Sequence, residues 1–169
     1  MTIRRLTPHD ATAWQALRLA ALRDSPSAFG MSHEEECDTP IATIAQRLAP
    51  DEDRDMFGAF AGDVLVGMVR VGRETVRKQR HKGYIRGMYV APEHRGKGLA
   101  RQLMLEAIAC AESMPGLRQL DLSVTAGNAS AHGLYLSLGF VQYGCERDSL
   151  FTGGAYYDEI YMVRPIGPR

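Results

Sequence analysis

The sequence predicts an α/β chain of the α+β kind: a mixed, mostly antiparallel sheet with helices on its faces. Three observations carry that prediction. Segments that alternate apolar and polar residues are interleaved with segments whose apolar residues recur at helical spacing. Two pairs of alternating segments meet across short glycine turns, Gly62-Asp63 and Gly153-Gly154, as antiparallel hairpins do. Hydrophobic residues fill 45% and charged residues 24% of the 169 positions, without repeats or linkers, which is the composition of one folded domain over residues 1–169.

Taken in order, Thr2 to Leu6 reads as a short strand. Thr7-Pro8-His9-Asp10 supplies an N-cap, a first-turn proline and a capping acid, opening a helix that buries Ala13, Trp14, Leu17 and Ala21 until Ser25-Pro26 stops it. Ser27 to Glu36 is neither periodic nor linker-like. Thr39-Pro40 repeats the start signal, with Ile41, Ile44, Ala45 and Leu48 as the buried stripe ahead of Pro50. Residues 56–61 and 64–72 form the first hairpin, and Tyr84 to Val90 is a further strand. A helix from Leu99 to Ala111 buries Ala100, Leu103, Met104, Ala107, Ile108 and Ala111, while Arg101, Gln102, Glu106 and Glu112 lie off that face. Leu117 to Thr125 alternates as a strand, with Asp121 on the polar face beside Gln119, Ser123 and Thr125. Asn128 caps a short helix that carries Ala131, Leu134, Tyr135 and Leu138 on one face, and Gly139 lies just past its end. Phe140 to Arg147 and Ala155 to Val163 are the last two strands.

The run Arg95-Gly96-Lys97-Gly98-Leu99-Ala100 lies between a strand and a helix start. Its glycines let the backbone approach a ligand closely, and the first amides of the helix point unpaired donors outward, so an anion, and above all a phosphate, belongs there. The usual nucleotide loops fit badly. Arg101 stands where a dinucleotide fingerprint wants a small residue, and Gly98 follows Lys97 where a Walker loop wants Ser or Thr.

With its second motif, Asn128 through Phe140, the chain resembles the GNAT superfamily of acyl-CoA-dependent N-acyltransferases. Arg95 to Ala100 matches the superfamily element Q/R-x-x-G-x-G/A, and Asn128 to Phe140 matches N-x-x-A-x-x-L-Y-x-x-x-G-F, in the right order around one strand. The resemblance implies a sheet splayed at an acyl-CoA cleft, with acetyl-CoA as co-substrate and no metal. It gives the coenzyme pyrophosphate to Arg95, Gly96, Lys97, Gly98, Leu99, Ala100 and Arg101. Backbone groups of Met88 and Val90 would hold the pantetheine and polarise the thioester carbonyl. Tyr135 matches the tyrosine that protonates the departing thiolate, its phenol (reference pKa about 10) staying protonated near neutrality. Asn128 is a pantetheine contact, an N-cap, or both. Histone-type members carry a glutamate where this chain has Tyr84, so the base is sought among Asp121, His33, Glu34, Glu35, Glu36, Asp158 and Glu159.

The implied reaction moves acetyl from acetyl-CoA to a primary amine by direct attack in a ternary complex, a small-molecule amine being the favoured acceptor. A protein N-terminal or lysine acetyltransferase shares the donor site, and a non-catalytic acyl-CoA sensor is the reading from another class. A formal net charge of zero leaves little long-range attraction for nucleic acid or an anionic membrane. The basic run Arg77 to Lys82 reads as a solvated hairpin turn, with attraction of the coenzyme 3′-phosphate or of an acidic acceptor as the alternative. Cys37, Cys110 and Cys145 are three, far apart, and expected as free, buried thiols; His81, His94 and His132 show no metal-ligand spacing. The N-terminus lacks an apolar signal region, and no apolar run approaches a membrane span, so the expectation is a cytoplasmic monomer or homodimer.

Overall fold

The alternating segments become strands, those at the centre of the sheet burying both faces and the edge segment over 141–152 mostly exposed, and the computed structural model describes them within residues 1–167. They are β1 (Thr2–Arg5), β2 (Arg54–Ala61), β3 (Val64–Arg73), β4 (Lys82–Val90), β5 (Gln119–Thr125), β6 (Val141–Thr152) and β7 (Ala155–Pro165). One sheet joins them in the order β1-β2-β3-β4-β5-β7-β6. Every neighbouring pair is antiparallel except β4 and β5. That parallel pair is short, running only from Lys82↔Gln119 to Tyr84↔Asp121. Beyond Tyr84 the two strands part, and the sheet opens in its middle.

Helices cover both faces. On one face α4 (Leu99–Ser113) and α5 (Ala129–Ser137) share a core with Val69, Val71 and Ile85 of the sheet. The α4 stripe predicted from spacing is buried from Leu103 to Ala111, each large side chain contributing about 1.5–3 kcal/mol by leaving water. On the other face α1 (Ala11–Asp24) and α3 (Ile41–Arg47) pack on Met56, Phe60, Met68 and Tyr89. Ser27 to Glu36 folds as a 3₁₀ turn over Pro26–Ala28 and a single helical turn, α2 (His33–Glu36).

Several local expectations are corrected. Ala13 is exposed, and Ala11 and Leu22 fill the stripe, because a 3₁₀ turn at Pro8–Asp10 precedes α1 and sets its phase. The capping acid holds: the Thr7 amide donates to Asp10 at 2.8 Å, and Arg4 pairs with the same carboxylate at 2.7 Å. Pro40, in extended conformation, flanks α3 in place of Thr39, which turns Ile41 outward to 40% exposure. Strand β6 continues past Arg147 to Thr152 through a bulge between Glu146 and Leu150, with Asp148 at φ +51°. Cys145 is exposed, not buried; Cys110 is half-buried, and burial pushes its thiol up to about 12. The Arg77–Gln79 turn is exposed, and nearby Arg80 reaches Asp53 at 2.8 Å. Among the described residues no helix is long and apolar enough to cross a membrane.

Candidate active site

At the carboxyl end of β4 the chain turns through Pro92–His94 and the glycine loop into α4. Gly96 and Gly98 lie at φ +73° and +77°, the left-handed region that penalises any residue with a Cβ. Gly98 is itself the N-cap of α4 and brings no capping side chain. Consequently the amides of Gly96 through Arg101 donate to no acceptor among the described residues. Six unpaired donors at the positive end of a helix dipole are the arrangement that receives an anion.

The nearby cations are turned to the protein. Arg95 donates through Nε to the Val90 carbonyl at 2.8 Å and through Nη2 to Asp24 at 2.7 Å, lying over the Tyr89 ring. That Arg95 bond holds the Asp24 carboxyl below the usual carboxylate range. Lys97 reaches the Glu93 carbonyl at 3.0 Å, and Arg101 the Ser137 hydroxyl at 2.9 Å. The free donors of the loop are therefore its backbone amides, and the cations tie the loop to its neighbours.

Met88 and Val90 lie where β4 has lost its β5 neighbour, and Val90's carbonyl is already bonded to Arg95. Across the opening, Tyr135 of α5 shares a cluster with Val90, Leu122 and Val124, edge-on to Phe140 at 6.1 Å. Only 7% of Tyr135 is exposed, and burial pushes its hydroxyl up to about 12. Asn128 caps α5, its Oδ1 accepting the Ala131 amide at 3.2 Å.

On the α1 face, Gly87 adopts φ +65° at a bulge in β4. Against it stands Arg18 of α1, with Nη1 4.0 Å from where a Gly87 Cβ would lie. Arg18 grips Glu36 with two bonds of 3.0 and 2.7 Å and covers the Phe29 ring at 4.8 Å. Spacing along the chain gave no sign of Arg18, because its partner is far away and outside any periodic segment. Phe29 also lines a cleft of about 480 Å³ between the α1–α2 segment and residues 149–152 of β6.

The candidate bases separate by their partners. Glu35 caps its own turn through the Ser32 amide at 2.8 Å, and Asp158 accepts the Asp148 amide at 2.9 Å. Glu34 and His33 line the cleft, and Glu36 is committed to Arg18. Asp121 sits at the fork with Lys82 at 3.5 Å. Glu159, opposite Thr125, is held by Ser123 at 2.8 Å and Ser149 at 2.7 Å, just beyond the fork and on the face of Gly87's Arg18.

Comparison with known proteins agrees with this geometry. Residues 14–140 match the family model described as the Acetyltransferase (GNAT) family. An aminoglycoside N(6′)-acetyltransferase type 1 from Stenotrophomonas maltophilia is 30% identical over 143 residues, covering 82% of this chain and 85% of that protein. A GNAT-family acetyltransferase structure from Streptococcus pneumoniae superposes with a TM-score of 0.87 at 24% identity, over 98% of this chain and 99% of that one. A GNAT-superfamily phosphinothricin acetyltransferase from Sinorhizobium meliloti, in complex with acetyl-CoA, gives 0.83 at 21% identity, over 98% and 88%. The two structures share the fold of this chain.

Proposed function

The chain belongs to the GNAT acetyltransferase family of acetyl-CoA-dependent N-acyltransferases, and from that premise we propose that it acetylates a primary amine on a small molecule. The six unpaired amides from Gly96 to Arg101, beside strands that part past Tyr84, carry the reading. These amides take the coenzyme pyrophosphate; the opening, with the backbone of Met88 and Val90 and the amide of Asn128, takes the pantetheine and aims the thioester at Gly87. Residues 1–169 act as one catalytic domain.

Acceptors enter from the α1 face, between the Phe29 segment and β6–β7. A cleft walled on two sides supports a small acceptor over a protein tail, and the relatives named for an aminoglycoside and for phosphinothricin are consistent with a small amine. The neutral amine attacks the thioester carbon directly within the ternary complex. Glu159 receives the ammonium proton, directly or through water, before attack. Tyr135 donates a hydrogen bond to the sulfur as the C–S bond breaks. With a thiol reference near 8.5 and the Tyr135 hydroxyl at about 12, full proton transfer in the ground state is uphill by roughly 5 kcal/mol, so the tyrosine stabilises the thiolate by hydrogen bonding first.

The test is acetyl-CoA-dependent thiol release across polyamines, amino acids, aminoglycosides and short peptides. Release with one small-amine class is expected. Release with peptides alone would replace this reading by a protein acetyltransferase.

A further inference from the structure

The α1 face of β3 and β4 carries a feature that the acetyl-transfer machinery leaves unused. Arg70 and Arg86 stand directly opposite each other across these strands. Like charges in that register repel unless something neutralises them. Tyr84, on the same face, lies between the two guanidiniums, with Arg70 5.4 Å and Arg86 4.2 Å from its ring centre. The Tyr84 hydroxyl accepts from Arg70 Nη2 at 2.9 Å, and the buried ring and hydroxyl lie over Gly72.

Negative charge is scarce beside them. Among the described residues Arg70 has no carboxylate partner, and its Nε is buried without a hydrogen bond. Arg86, its side chain 63% exposed, has Glu74 at 3.6 Å as its one carboxylate partner among the described residues. Two guanidiniums on either side of a phenol thus form a cationic platform, one residue before the Gly87 bulge and level with the fork at Tyr84↔Asp121. Across the fork the same face turns acidic, with Asp121 and Glu159. Where related enzymes of the histone type carry a glutamate, this chain presents two positive charges around Tyr84.

Resting on the reading of this site as an amine acetyltransferase, we propose that Arg70, Arg86 and Tyr84 bind an anionic oxyacid group of the acceptor, which is therefore a zwitterionic, amino-acid-like amine. Paired, planar guanidiniums match a carboxylate or phosphonate bidentately. The acidic side of the fork receives the ammonium as it enters, and the two ends together turn the nitrogen toward Gly87. A polyamine would meet repulsion at the same platform.

The experiment pairs calorimetric binding to CoA-loaded protein with thiol release from acetyl-CoA, using amino acids, their carboxamides, aminoalkylphosphonates and spermidine. Free acids or phosphonates are expected to exceed the matched carboxamides by at least about tenfold in affinity and kcat/KM, as a charge-assisted contact does. The phosphonate arm decides which oxyacid the platform takes. Arg86→Gln, at an exposed side chain that leaves the core intact, should raise KM for the acid about tenfold, erase the acid-over-amide preference and leave KM for acetyl-CoA unchanged. Carboxamides or spermidine used as well as acids, no acid bound at all, or an unaltered preference in Arg86→Gln would each overturn the proposal. Acids bound through Arg86 without thiol release would uphold the anion site and reject the transferase reading; release with polyamines alone would do the reverse.

Discussion

Tyr135 shows how one residue can be legible by type and still be redefined by its surroundings. By resemblance of the second motif it is the proposed partner of the thiolate, and packing against Phe140 and the strand residues Leu122 and Val124 then strips its hydroxyl of water. Since burial favours the neutral phenol, the hydroxyl holds its proton until about pH 12 and gives no descending limb to kcat between pH 6 and 10. The rising limb in that window belongs to deprotonation of the acceptor amine. Tyr135→Phe should lower kcat by roughly 10- to 1000-fold, the range of a lost donor to developing charge, with KM for acetyl-CoA little changed and the shape of the pH profile kept. An alkaline limb near pH 8–9 that vanishes in the variant would show instead that the phenol titrates in the working range.

At the scale of an element, α4 does two jobs, one through its side chains and one through its first backbone amides, and Leu99 takes part in both. Its buried stripe anchors the helix to the sheet, and its first turn, opened by Gly98 at φ +77°, presents bare amides to an anion. Gly98→Ala costs about 1–2 kcal/mol of left-handed strain, and Gly98→Glu adds to that a carboxylate facing the coenzyme phosphates. Acetyl-CoA affinity should fall at least about tenfold further in Gly98→Glu than in Gly98→Ala; equal affinities in the two variants would remove the loop from the coenzyme site. Likewise β4 works through what it lacks, because losing β5 beyond Tyr84 is what exposes its edge.

For the whole molecule, the opening between β4 and β5 divides the sheet past Tyr84, and the halves stay joined by the short pairing from Lys82↔Gln119 to Tyr84↔Asp121 and by contacts such as Thr125 Oγ1 donating to the Ser27 carbonyl at 2.6 Å. A ligand that bridges the gap stabilises the folded state by mass action, about 2.7 kcal/mol at a hundredfold excess over Kd. For a chain of 169 residues that is a rise in Tm of roughly 5–10 °C. Scanning calorimetry with and without acetyl-CoA measures it, and an unchanged Tm at saturating coenzyme would contradict binding in the opening.

Local chemistry alone determined most of the elements and the donor end of the site. Glycines at 96 and 98, the apolar stripe from Leu103 to Ala111 and the Asn128 cap write a strand, a phosphate-ready turn and two helices into neighbouring residues, where periodicity and capping act over a few positions. Tertiary structure decided the phase of α1, the length of β6 and the acceptor side. Arg18 against Gly87, Glu159 between Ser123 and Ser149, and Arg70 opposite Arg86 join residues from different strands and helices, whose meeting depends on register and packing and leaves no period in the chain.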